Sequence, residues 1–108
     1  MEIGRLRTRV TLKQPSRSQE NTYGGEQVTW SDVDTAWARV ENLRGRDLDH
    51  ARQVYQDVTV RVTMRHRSDV TAGWRLVTEG GRTLEVLAAY DPEEGRGRAL
   101  ECLCREVT

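Results

Sequence analysis

The 108-residue sequence has no phenylalanine, one lysine (Lys13), two prolines, two cysteines and no net charge, with 17 acidic residues against 17 basic ones. Each shortage excludes something. A balanced chain has no overall field to draw it to nucleic acid or to a membrane surface. No apolar run approaches the length that spans a bilayer, so no membrane partner is expected. The opening "MEIGRLRTRV" has no apolar leader, and the expectation is a soluble chain made in a reducing cytoplasm. Cys102 and Cys104, two apart in an extended segment, point the same way and cannot easily bridge each other. Buried, reduced thiols follow. Cys102-x-Cys104 with His50 and His66 lacks the spacing of a zinc site, so no metal is expected.

Catalytic signals are also scarce. No glycine loop has phosphate-cradle spacing, and the few serines sit in loop-like contexts. Asp91, Glu93 and Glu94 crowd one turn, where solvated acids are ordinary. The reading is a non-enzyme without a cofactor. The arginines nearly monopolise the positive charge, a bias that a GC-rich genome produces without functional cause.

What the sequence has in abundance is alternation. In "RLRTRVTL", Leu6, Thr8, Val10 and Leu12 share one face, and Pro15 is expected to end the strand. "SRSQENTYGGEQ" reads as a loop or wide hairpin tip around Gly24-Gly25. Val28 and Trp30 alternate next, and "TAWARVENL" places Ala36, Ala38 and Val40 opposite Trp37. "DVTVRVTMRHR" is the strongest strand, with Val58, Val60, Val62 and Met64 inward. "WRLVTE" and "RTLEVLAAY" flank a Gly80-Gly81 turn, and "ALECLCREV" closes the chain after turn chemistry at Asp91-Pro92. The expected core includes Val10, Leu12, Val40, Val58, Val60, Val62, Leu84, Val86, Leu100 and Cys102.

One segment breaks the period. Over Arg44–Gln56, Leu48, Ala51 and Tyr55 recur at helical spacing beside Val54, which predicts a helix of roughly three turns, too short to hold itself together. The expected architecture is one domain over residues 1–108: a mainly β, small antiparallel barrel of about six strands, with a loop–short helix insertion at 42–56. Small barrels also bind single-stranded nucleic acid, through a basic groove with aromatic platforms. Here no aromatic lies two residues from another on one strand. Trp30, Trp37 and Tyr55 read better as interface anchors.

The order and spacing of several pieces are similar to the phage head–tail joining family, the head-completion or stopper proteins of long-tailed phages and gene-transfer particles. Those pieces are Gly4-Arg5-Leu6-Arg7 before a strand, Tyr23-Gly24-Gly25, and Trp37-Ala38-Arg39-Val40 leading to Gly45-Arg46-Asp47. "VRVTMRHRSDVTAGWRLV", "GGRTLEVLAAYDPEE" and "LECLCREV" extend the match over nearly the whole chain. Asp47 stands where the family often has Glu, and His66 where an aromatic is common. The resemblance implies a structural protein at the head–tail interface of a virion or phage-like particle, assembled in the bacterial cytoplasm. It further implies a six- or twelve-fold homo-oligomeric ring that closes the DNA channel after packaging and docks the tail. The implied partners are the portal or adaptor, a tail terminator or tail-completion protein, and packaged double-stranded DNA held non-specifically. On that reading Arg44, Arg46, Asp47, Asp49 and Arg52 would face the channel or the next subunit.

Overall fold

A computed structural model describes residues 6–18 and 27–107. Its elements run β1 (Thr8–Ser18), β2 (Gln27–Asn42), α1 (Gly45–Val54), β3 (Val60–Arg65), β4 (Arg75–Thr78), β5 (Thr83–Tyr90) and β6 (Ala99–Val107). The strands close a barrel in the order β1-β2-β3-β6-β5-β4, with every neighbouring pair antiparallel. The mainly β barrel with one short helix is therefore the architecture that alternation predicts.

The interior collects one side of each strand. Val10, Leu12, Val60, Val62, Met64, Leu76, Leu84, Val86, Cys102 and Cys104 are all essentially inaccessible to solvent. Val40 departs from expectation: it is half-buried, packing on the core near the end of β2 rather than within it. Thr63 departs in the other direction. It stands on the outward side of β3 yet is buried, flanked in register by Arg39 and Glu101, whose longer side chains rise on either side of it.

The connection from β3 to β4 joins strands that are not neighbours and adds Val70 and Trp74 to the core. Gly73, at φ 98, allows the chain to turn there while its N–H and that of Val86 bond across to the Val86 and Trp74 carbonyls.

Two further expectations are corrected. Pro15 does not end β1, which continues to Ser18 opposite Gln27, with Pro15 facing Trp30. β4 pairs with β1 only over Val10–Lys13, so beyond Lys13 one side of β1 is an edge, where a missing N–H is tolerated. The segments around Trp30 and Trp37 are likewise one 16-residue strand, and a register shift opposite Leu12/Lys13 absorbs the change in alternation. Residues 14–18 and 27–31 thus form a two-stranded arm beyond the barrel, and the molecule measures 50 × 29 × 29 Å. The expected Tyr23-Gly24-Gly25 turn lies outside the described residues, as do Gly4 and Arg5.

Both thiols are free and face the interior. Burial pushes the Cys102 thiol up to about 12 and raises that of Cys104 as well. A thiol held neutral and out of contact with solvent is unreactive. A chromogenic disulfide reagent should therefore label Cys102 and Cys104 only on unfolding; rapid labelling in native buffer is the contrary result. Val60→Ala should cost about 1–3 kcal/mol, read as a lower denaturant midpoint with an unchanged slope.

Candidate functional site

Helix α1 is built from a sequence that barely supports it. Arg44 occupies the N-cap position with extended backbone and makes no side-chain capping bond. Gly45, at φ 54, turns the chain from β2 into the helix. Asp47 sits in the first turn and Arg52 in the last, each favourably placed on the helix dipole. No residue of α1 is buried. The observed helix is one residue shorter than expected at its start and two at its end, with Tyr55 in the C-cap position.

The apolar stripe of α1 leans on the outer wall of the barrel rather than filling its mouth. Between them lies a groove of about 380 Å³, formed by Leu43, Ala51, Val54 and Tyr55 on one side and Tyr90 and Leu103 on the other, with Asp47 and His50 at its rim and Arg61 also lining it. Arg61 bonds to Glu41 at 2.9 Å and Glu101 at 3.2 Å, and Glu41 also takes the Arg39 guanidinium at 2.9 Å. Burial first, then the Glu101 carboxylate, pushes the Tyr90 hydroxyl up to about 12. A polar chain thus runs across β2, β3, β6 and β5. Near the point where β2 leads into α1, Arg82 holds both Glu106 and the Asn42 side chain, at 2.8 and 2.9 Å.

The five residues expected at a channel or subunit face are all exposed on or beside α1. Arg52 donates to the Val58 carbonyl at 3.4 Å. Among the described residues, Arg44, Arg46, Asp47 and Asp49 form no ion pair within the chain. The three expected aromatic anchors lie apart. Trp30 is half-buried under the Arg75 guanidinium, 3.7 Å from its ring centre. Trp37 is 51% exposed on the outer wall, with Arg9 stacked at 5.5 Å. Tyr55 lines the groove. Trp74 is a core residue, so the described tryptophans do not line up as a stacking platform. Among the described residues no group of three or more His, Cys, Asp or Glu could hold a metal, and no described helix is long and apolar enough to cross a membrane.

Sequence reasoning missed Arg67. It reaches Asp34 at the base of the arm through Nη1 at 2.9 Å, and Asp69 in the β3–β4 connection through Nε and Nη2, each at 3.0 Å. Only the tertiary fold brings positions 34 and 67 together, so no local pattern announces the pair.

With this geometry in view, residues 1–107 match the model of the phage head completion protein family. The chain belongs to that family. It is 32% identical over 108 residues to the head completion protein gp7 of Enterobacteria phage HK97, covering 97% of this chain and 96% of gp7. The solution structure of protein SF1141 from Shigella flexneri 2a superposes with a TM-score of 0.71 at 30% identity, covering 98% of this chain and 96% of that one. A chain from the virion of the native gene transfer agent particle shares the fold at a TM-score of 0.58 and 23% identity, covering 95% of this chain and 98% of that one. The chain thus belongs to a family of structural rather than enzymatic proteins that complete the phage head.

The Arg67 clasp has a pH signature. The Arg67 guanidinium holds the carboxyls of Asp34 and Asp69 below their ordinary values. Depressed folded values mean that the stabilisation is complete above the usual carboxylate range, near pH 4, and is lost as pH falls through the depressed values. Arg67→Met should be less stable than the parent at neutral pH and should lose less stability on acidification below about pH 4. Parallel acid-denaturation curves would contradict the assignment.

Proposed function

We propose that this head completion protein assembles as a six- or twelve-fold homo-oligomeric ring between the portal or adaptor and the tail. There it retains packaged DNA and offers the tail its docking surface. The α1 insertion, residues 42–56, lines or closes the channel. The observation that carries this reading is the independence of α1 from the barrel: the core is complete without it, since the helix buries no residue. A segment that contributes so little to the core is at the low-stability end of the molecule, where moving elements are drawn from. Its exposed Arg44, Arg46, Asp47, Asp49 and Arg52 supply both signs of charge for contacts between copies. Each exposed pair would contribute only about 0–1 kcal/mol, but ring symmetry repeats it. Arginines on the same segment also suit non-specific contact with DNA phosphates.

Replacing Arg46–Gln53 by a glycine bridge tests the assignment. The expected outcome is a folded barrel with near-parental β circular dichroism. Particles carrying it should package DNA and then lose it, or fail to join tails. Normal DNA retention and tail joining would refute the channel role of α1, and loss of the folded barrel would refute its independence from the core.

A further inference from the structure

The large exposed apolar side chains fall into two places on the wall. Val54 and Tyr90 edge the concave groove beneath α1, whereas Val33 and Trp37 lie on β2. The polar chain from Arg39 to Glu101 separates them. One place is a hollow and the other carries a protruding aromatic. From this we infer that the groove beneath α1 receives Trp37 of a second copy of this chain. The inference rests on the ring proposed above and names the surfaces that would meet in it.

Three features select a second copy as occupant. First, the groove has room for a bulky aromatic side chain and is walled mainly by aliphatic and tyrosine side chains, with Asp47, His50 and Arg61 also lining it, a setting that suits a tryptophan anchor. Second, the charges match. Arg9, stacked on Trp37, bonds only to the Thr35 hydroxyl at 3.0 Å among the described residues and meets no carboxylate. Arg65, beside Trp37, likewise forms no ion pair there. At the groove rim, Asp47 is a carboxylate without an ion-pair partner among the described residues. Arg61, which Glu41 and Glu101 already hold, acts on Asp47 only through space. A tryptophan flanked by arginines without ion pairs thus suits a groove whose acid makes no ion pair of its own among the described residues. Third, two different patches on one chain form a heterologous contact, the type that closes into a ring when the rotation allows.

The contact also gives α1 what it lacks within a single chain. A tryptophan in the groove would bury the stripe of Ala51, Val54 and Tyr55 from its open side, so assembly and helix order would be linked.

Charge reversal tests this on the full chain, with self-association read by sedimentation and α1 order by hydrogen exchange. Trp37→Ala, Arg9→Glu and Asp47→Arg should each weaken association at least about tenfold. The double variant Arg9→Glu, Asp47→Arg should recover most of that loss, which a merely unfolded variant cannot do. Amide protection over residues 45–54 should rise with concentration in the parent and not in Trp37→Ala. Suppose the parent associates and all three single variants associate equally well. The ring then stands and this contact is wrong. If the variants block tail joining in particles but leave self-association unchanged, the groove serves a different virion protein and the inference is overturned. A parent that stays monomeric at the highest attainable concentration, and shows no copy-to-copy cross-links in particles, removes both the contact and the ring.

Discussion

The pairing of β1 with β4 is the constraint on which the structure depends. Four register pairs, Val10 with Thr78 through Lys13 with Arg75, convert a twisted sheet into a closed barrel. β4 is the shortest strand, yet it sets Leu12 directly opposite Leu76, and both are fully buried. Opening this ladder would expose two leucines and leave two free strand edges. Neighbouring features are registered by the same seam. The Glu79 N–H bonds to the Arg9 carbonyl at 3.0 Å, and Arg75 reaches up from the end of the ladder to cover Trp30. The point at which the arm leaves the barrel is thus set by where β4 begins, at Arg75 opposite Lys13.

Outside the barrel, charge does what apolar contact does within. Arg61 on β3 and Arg105 on β6 reach carboxylates on neighbouring strands, at Glu41 and Glu101 and at Glu85, while Arg82, just ahead of β5, reaches Glu106 on β6. These pairs are partly exposed and individually weak. The cross-strand placement of Arg61 and Arg105 favours one register over a slip, because a one-residue shift would turn both arginines inward. The high arginine content therefore has a use in the wall whatever its genomic origin. α1 stands outside this scheme, tied mainly through its flanks, where Leu43 and Val58 are buried.

How far the sequence speaks depends on how local the cause is. β3 and β6 were largely legible because burial there mostly follows parity: Val60, Val62, Cys102 and Cys104 are buried as alternation requires, and only Thr63 and Ala99 are buried against it. The helix was legible from its spacing, though its lean against the outer wall was not, since that depends on Tyr90 and Leu103 being brought beneath it. Pro15 misled because a proline rule for paired strands does not apply where a strand has become an edge. Val70 escaped the expected core because a connection has no period to read, and Trp74, read as the first residue of the strand "WRLVTE", lies just ahead of β4. The exposed residues of α1 were identifiable as a set from their charge, but their lack of ion pairs among the described residues is a property of the fold.

The arm has a consequence for the protein's life before assembly. Among the described residues, β2 has no strand partner before Ala38 on the side away from β1, so its edge there is open over much of the arm. Such an edge invites endless side-by-side addition of strands, the route to fibrils. On the opposite edge of the arm, Pro15 of β1 has no N–H to offer a docking strand. Asp32, held by Lys13 at 2.8 Å, and Asp34 place charge along the same ribbon. These features guard the arm against adding further strands along its sides and polymerising in the wrong way.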